Sequence, residues 1–60
     1  MREETYIKFA DILISQYKKA KTSECRKHIE QIELGIINIF KNDNKDFDVN
    51  IFKNYITFKI

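Results

Sequence analysis

The chain has 60 residues, of which 43% are apolar and 33% charged, and its formal net charge is +2. This composition is typical of a globular protein and excludes a disordered chain, so we predict a single domain over residues 1–60. A domain of this length buries only about 60% of its unfolded surface, and the single cysteine excludes an internal disulfide, so we expect a homodimer or another protein partner to stabilise it.

Residues 5–21 are predicted to form an amphipathic helix. Its apolar side chains recur at steps of three and four, which places them on one face: Tyr6, Ala10, Leu13, Ile14, Tyr17 and Ala20. Glu3 and Glu4 stand near the start and lysines near the end, as the helix dipole favours. Ile12 is expected to project from the polar side.

A second helix is predicted over residues 23–41, capped by Thr22 or Ser23. Its main apolar stripe is expected to face the core and consists of Cys25, Ile29, Ile32, Ile36, Ile39 and Phe40. Leu34 and Ile37 lie off this stripe, so the helix is apolar on more than one side. Gly35 lies in mid-helix, where it costs about 1 kcal/mol relative to Ala; close approach of another backbone or unselected drift would explain it.

The C-terminal residues are predicted to form a β-hairpin, with strands at 47–52 and 55–60 and a two-residue loop at Lys53 and Asn54. In that register one face carries six apolar side chains: Phe47, Val49, Ile51, Ile56, Phe58 and Ile60. The expected fold class is therefore α+β, a two-helix antiparallel hairpin followed by a C-terminal β-hairpin (α-α-β-β). A dimer would either join two hairpins into one sheet or pack helices through Leu34 and Ile37.

Enzyme signatures are missing from the sequence, which contains no Gly-rich phosphate loop, no HExxH, no CxxC and no nucleophile elbow. We therefore expect a protein that is not an enzyme and has no cofactor. Cys25 and His28 have the spacing of half a zinc site that a two-fold axis could complete, or Cys25 could be a reactive thiol. We favour a buried small residue beside a solvated His, because two ligands are a weak signal, and we expect no metal.

A basic cluster surrounds the predicted turn between the helices. Its members are Lys18, Lys19, Lys21, Arg26, Lys27 and His28. The functional hypothesis is an anion-binding site for nucleic-acid phosphates or for an acidic protein surface. The alternative is an ordinary solvated surface, because charge runs are common and the net charge is low.

Candidates for a protein interface are the apolar residues that fall outside the predicted core. Ile12, Leu34 and Ile37 are expected to be exposed, and a cluster of such residues indicates an interface. Phe52 and Tyr55 form an aromatic pair on the outer hairpin face, either as an interface or as a cross-strand pair that stabilises the hairpin. The sequence thus favours a homodimeric inhibitor or regulator of another macromolecule, and the alternative is nucleic-acid binding through the basic cluster.

The expected location is the cytoplasm. No apolar run approaches the ~20 residues of a membrane span, and the N-terminal residues lack the apolar core of a signal peptide. A lone cysteine fits a reducing compartment. Ile, Lys, Asn, Phe and Tyr are common while Gly occurs once and Pro never, so we hypothesise an AT-rich genome, that of a low-GC bacterium or its phage.

Overall fold

The protein is a bundle of three α-helices in the computed structural model, which describes residues 3–60. The helices are α1 (Glu3–Lys19), α2 (Ser23–Asp43) and α3 (Val49–Lys59). The first two residues of the predicted domain lie outside the described part. α2 runs antiparallel to α1, since Phe9 near the start of α1 contacts Phe40 near the end of α2. α3 then returns alongside α1 in the same direction, and α1 makes the main contacts with both other helices.

The N-terminal ends of α2 and α3 are fixed by short polar side chains that cap them. Thr22 caps α2 by accepting a hydrogen bond from the Cys25 backbone N–H, at 3.1 Å. Asp48 caps α3 in the same way by accepting from the Ile51 N–H, also at 3.1 Å. Each cap satisfies one of the backbone donors that the first turn of a helix leaves without a partner. The two caps therefore fix where the chain turns between the helices.

The predicted β-hairpin is wrong, and with it the α+β class, because residues 49–59 form a helix and residues 3–60 contain no strand. Only Phe47 and Ile56 of the six side chains assigned to the buried hairpin face are buried. Ile51 is 68% exposed and Phe58 is 91% exposed, so the alternating pattern does not describe the buried surface. The protein is a small all-α domain.

The helical conformation of residues 49–59 follows from local chemistry. The N-cap at Asp48 favours a helix start, and Phe52 and Ile56, four residues apart, form its buried stripe. A two-residue hairpin turn at Lys53 and Asn54 would need positive φ, and no described non-Gly residue has it. A lone hairpin would also leave two unpaired edges, whereas a helix satisfies its backbone internally.

The core is an aromatic cluster at one end of the bundle, extended by aliphatic residues of α1. Phe40 lies at its centre, with its ring centroid 4.7 Å from that of Tyr6 and 5.3 Å from those of Phe9 and Phe47. The ring centroid of Phe52, in α3, lies 5.6 Å from that of Phe40. These tilted and edge-on arrangements are the favourable ones for aromatic rings, so Phe40 connects all three helices.

The buried face of α2 differs from the predicted stripe. Glu33, Ile37 and Phe40 are buried, whereas Cys25, Ile32 and Ile39 of the predicted stripe are exposed. The helix is thus rotated so that Ile37, which we expected at the surface, lies in the core. Gly35 does not serve packing within the chain, because a Cβ built there meets nothing within 4 Å.

Candidate protein-binding surfaces

A groove of about 260 Å³ lies between α1, the α2–α3 connection and α3, and we call it the α1–α3 groove. Its lining is formed mainly by apolar and aromatic side chains, with carboxylates and one amide at its edge: Glu3, Tyr6, Ile7, Ala10, Asn44, Asp46, Phe47, Asp48, Ile51, Phe52 and Tyr55. Phe47 and Phe52 are buried and Ile51 is largely exposed. The groove therefore joins the core to an exposed apolar surface.

The exposed apolar surface continues from the groove along α3. Ile51, Tyr55 and Phe58 recur at steps of four and three, so they lie on one flank of the helix. Phe58 is exposed to solvent over almost its entire side chain. A large aromatic side chain in that state is uncommon on a monomeric domain and is typical of an interaction surface.

Carboxylates surround the groove and continue along α1. Glu3, Asp46 and Asp48 contribute to its lining and are exposed. The Tyr55 hydroxyl donates a hydrogen bond to Asp11 Oδ1 at 3.0 Å, which ties α3 to α1. The Lys59 Nζ lies 5.1 Å from the centre of the Tyr55 ring. The groove thus combines an apolar floor with an edge that favours positively charged groups.

Glu33 is a charged residue buried in the core face of α2, and Tyr17 is its partner. The Tyr17 hydroxyl donates to Glu33 Oε1 at 2.8 Å. Burial raises the pKa of Tyr17 well above its usual value of 10, and the hydrogen bond to Glu33 and the charges of Glu33 and Glu30 raise it further, while Arg26 opposes them. The pair explains how the core accommodates a carboxylate, since a buried acceptor needs a donor.

We expect the free energy of unfolding to fall above pH 10 because of Tyr17. The neutral hydroxyl is favoured in the folded state, so below pH 10 both states hold the proton and its contribution is fully present. Above pH 10 the unfolded chain ionises first, and stability should fall by up to about 1.4 kcal/mol per pH unit. Urea unfolding between pH 8 and 12 measures this slope.

Two phenylalanine substitutions separate Tyr17 from the other groups that titrate at high pH. Tyr17→Phe should lower stability at pH 7 by roughly 1–3 kcal/mol, because Glu33 loses its donor, and should flatten the alkaline slope. Tyr55→Phe, which removes the hydroxyl that donates to Asp11, makes the same chemical change outside the Glu33 site and is the matched control. Equal slopes for wild type and Tyr17→Phe would contradict the role of this hydroxyl.

The predicted interface residues do not form one surface. Ile37 and Phe52 are buried in the core, so neither is displayed by the folded chain. Tyr55 is half-buried and, like Phe52, lines the α1–α3 groove. Ile12 and Leu34 are exposed, but Leu34 borders a separate polar cleft near the end of α3, which also includes Ile60.

The predicted basic cluster is gathered at one end of the bundle, around the α1–α2 connection. All six of its residues are exposed. Arg26 also acts on the core, because its positive charge lowers the pKa of the buried Tyr17 hydroxyl. Cys25, which we expected to be buried, is exposed like His28. Within residues 3–60, no group of three His, Cys, Asp or Glu side chains is arranged to hold a metal ion.

The groove residues Ile7 and Ile51, and Phe58 further along α3, were not among the sequence-predicted site residues. A helical interpretation of residues 49–59 would have revealed Ile51 and Phe58, because Phe52 and Ile56 share one flank while Ile51 and Phe58 share another. Asp48, a strong N-cap residue, was the local signal for that reading.

Comparison with protein-family models, curated proteins and solved structures finds no match to this chain. Among the described residues, no helix combines the length and the apolar character needed to cross a membrane.

Proposed function

We propose that this protein is an interaction module that inhibits or regulates another protein by binding one of its segments in the α1–α3 groove. The observation that carries the proposal is the apolar lining of the groove and its continuation into exposed Ile51 and Phe58. Aromatic side chains next to a pocket are the usual energetic centres of protein interfaces. The groove is also bounded by two helices, an arrangement that accepts the apolar face of a third.

The partner segment that fits best is an amphipathic helix with one or two large apolar side chains flanked by Lys or Arg. The apolar side chains would contact Phe52 and Ile51. The basic ones would face Glu3 and Asp48 at the edge of the groove. This charge complementarity would also speed association at low salt. An intracellular location and a low-GC bacterial or phage origin remain part of the proposal.

A displayed library of helical peptides tests the proposal and does not require that the natural target be identified. We expect selection to enrich peptides with apolar residues at steps of three and four beside Lys or Arg. Phe58→Asp and Ile51→Asp should each weaken binding by at least about tenfold, the level of an interface hot spot. Leu34→Asp, a change of the same kind at an exposed site outside the groove, is the matched control.

The proposal would be overturned if the enriched peptides bound the Phe58→Asp and Ile51→Asp variants as tightly as the wild type. Circular dichroism should show unchanged helix content for all three variants, because each replaced side chain is at least half exposed. A loss of binding accompanied by a loss of helix would be assigned to folding, and the milder Phe58→Ser would then carry the test.

The second candidate function is nucleic-acid binding, which the exposed basic cluster at the end of the bundle supports. Its partner would be the phosphate backbone, and affinity would fall steeply as salt is raised. Fluorescence titration with labelled DNA and RNA distinguishes the two proposals. Replacing Lys18, Lys19 and Lys27 with Gln should abolish such binding and leave peptide binding unchanged.

A further inference from the structure

The face of the bundle opposite α3 carries a regular apolar seam along α2. Cys25, Ile29, Ile32, Ile36 and Ile39 are spaced by four, three, four and three residues. This is the repeat of a coiled-coil seam, in which the buried partner is another α-helix. Ile29 and Ile36 pack against the core of the chain itself, whereas Ile32 is 59% exposed and Ile39 61% exposed. Packing within the chain therefore covers Ile29 and Ile36 but leaves Ile32 and Ile39 at the surface.

α1 extends this seam into a broader face. Phe9 packs against Phe40 of α2, so it lies on the flank of α1 that borders α2. Ile12 follows one turn later on the same flank and is 60% exposed. α3 occupies the other flank of α1, where Tyr55 bonds Asp11. The self-association face, as we call it, consists of the exposed Phe9, Ile12, Ile32 and Ile39, with the partly buried Ile36 between the last two.

Charge is distributed unevenly along the bundle. The end where α1 and α3 begin is net acidic, because Glu3, Glu4, Asp43, Asp46 and Asp48 outnumber Lys8, Lys41 and Lys45 there. The basic cluster lies at the opposite end, around the α1–α2 connection. Two copies side by side in the same direction would bring like ends together, whereas an antiparallel pair brings each acidic end beside a basic one.

We propose that the self-association face binds the same face of a second copy, with the two α2 helices antiparallel about a two-fold axis near the middle of the seam. The exposed isoleucines of the seam, Ile32 and Ile39, stand one heptad apart, which favours a helical partner, and the charge distribution favours the antiparallel direction. The long face of the bundle measures 34 × 18 Å, about 610 Å² in flat projection, so the dimer would use most of this face to approach the ~800 Å² per partner of stable complexes. The proposal goes beyond the groove function, because it uses a different flank of α1.

Sedimentation equilibrium over a concentration series tests the proposal. The wild-type mass should rise from that of the 7.3 kDa chain to twice that value. Ile32→Asp should weaken the dimer by at least about 100-fold, because the change occurs twice in a symmetric interface. Leu34→Asp, on the other side of α2, should leave the dimer intact. A monomeric wild type, or a dimer that tolerates Ile32→Asp, overturns the proposal.

Cys25 reports the direction of pairing. In an antiparallel dimer the two Cys25 residues lie roughly 20 Å or more apart along the axis, too far for a disulfide, whereas a parallel dimer would place them together. Mild oxidation at dimer-forming concentrations should therefore cross-link the wild type no faster than the monomeric Ile32→Asp variant, and faster cross-linking of the wild type overturns the antiparallel arrangement.

Two further measurements distinguish loss of the dimer from loss of the fold and from loss of groove binding. Circular dichroism checks that Ile32→Asp retains its helices, and Ile39→Ser replaces it if it does not. The monomeric variant should still bind the groove peptides, so failure of the dimer and failure of the groove function give different results.

Discussion

Replacing Phe40 with Ala is expected to leave the protein largely unfolded at 25 °C. Phe40 is 1% exposed and its ring packs against four other aromatic rings drawn from α1, α3 and the segment before α3. A buried Phe→Ala change costs about 3–5 kcal/mol, the sum of lost burial and the cavity left behind. A domain of this size has roughly 3–9 kcal/mol of total stability, so little or none would remain.

Phe58→Ala is the matched control, because it makes the same chemical change at a side chain that is 91% exposed. Its effect should stay within about 0.5 kcal/mol, as for surface substitutions in general. Urea unfolding followed by circular dichroism measures both variants. The comparison also tests the fold, since the hairpin that we first expected would bury Phe58. Equal destabilisation by the two substitutions would support that hairpin and contradict helix α3.

Asn54→Pro is the second substitution expected to have a large effect. Asn54 is exposed in the middle of α3, so its side chain contributes little packing. Proline there removes one backbone hydrogen bond and its ring collides with the preceding turn, at a cost of about 3 kcal/mol or more. We expect a loss of helix signal and of most of the stability in thermal unfolding.

A series at position 54 separates a helix from a turn by the order of stabilities. In a helix Ala is more stable than Asn, Gly is less stable by up to about 1 kcal/mol, and Pro is the least stable. In a hairpin turn Gly would be the best residue, because it adopts positive φ at no steric cost. A stabilising Asn54→Gly would therefore contradict α3.

Local periodicity was sufficient to place the first two helices, because their apolar residues recur over about five turns. It was not sufficient to orient α2, which has apolar residues on more than one side. The side that faces the core includes Glu33, and the distant Tyr17 hydroxyl donates the hydrogen bond that makes that burial acceptable. A contact sixteen residues away in sequence leaves no periodic signal, so the predicted stripe included Phe40 correctly but missed Glu33 and Ile37.

The C-terminal segment was ambiguous because two periods fit it. Val49, Ile51, Ile56 and Phe58 alternate as in strands, while Val49, Phe52 and Ile56 recur as in a helix. Packing against α1 and the Asp48 cap favour the helix. The candidate site depends on that choice, since only in the helical form does Ile51 line the groove and Phe58 stay exposed beyond it. Most of the self-association face was likewise missed, because Ile32, Ile36 and Ile39 were assigned to the core, although Ile12 was predicted to be exposed.

The central position of α1 leaves it one narrow side with no assigned partner. Its core face contacts both other helices, one flank carries Phe9 and Ile12, and the other borders α3. Glu4, Lys8 and Ser15 are exposed on the remaining side. A fluorophore or surface anchor attached there, for example at Ser15→Cys in a Cys25→Ser background, would leave the groove and the seam equally accessible. Labelled protein could then report on both kinds of association in one experiment.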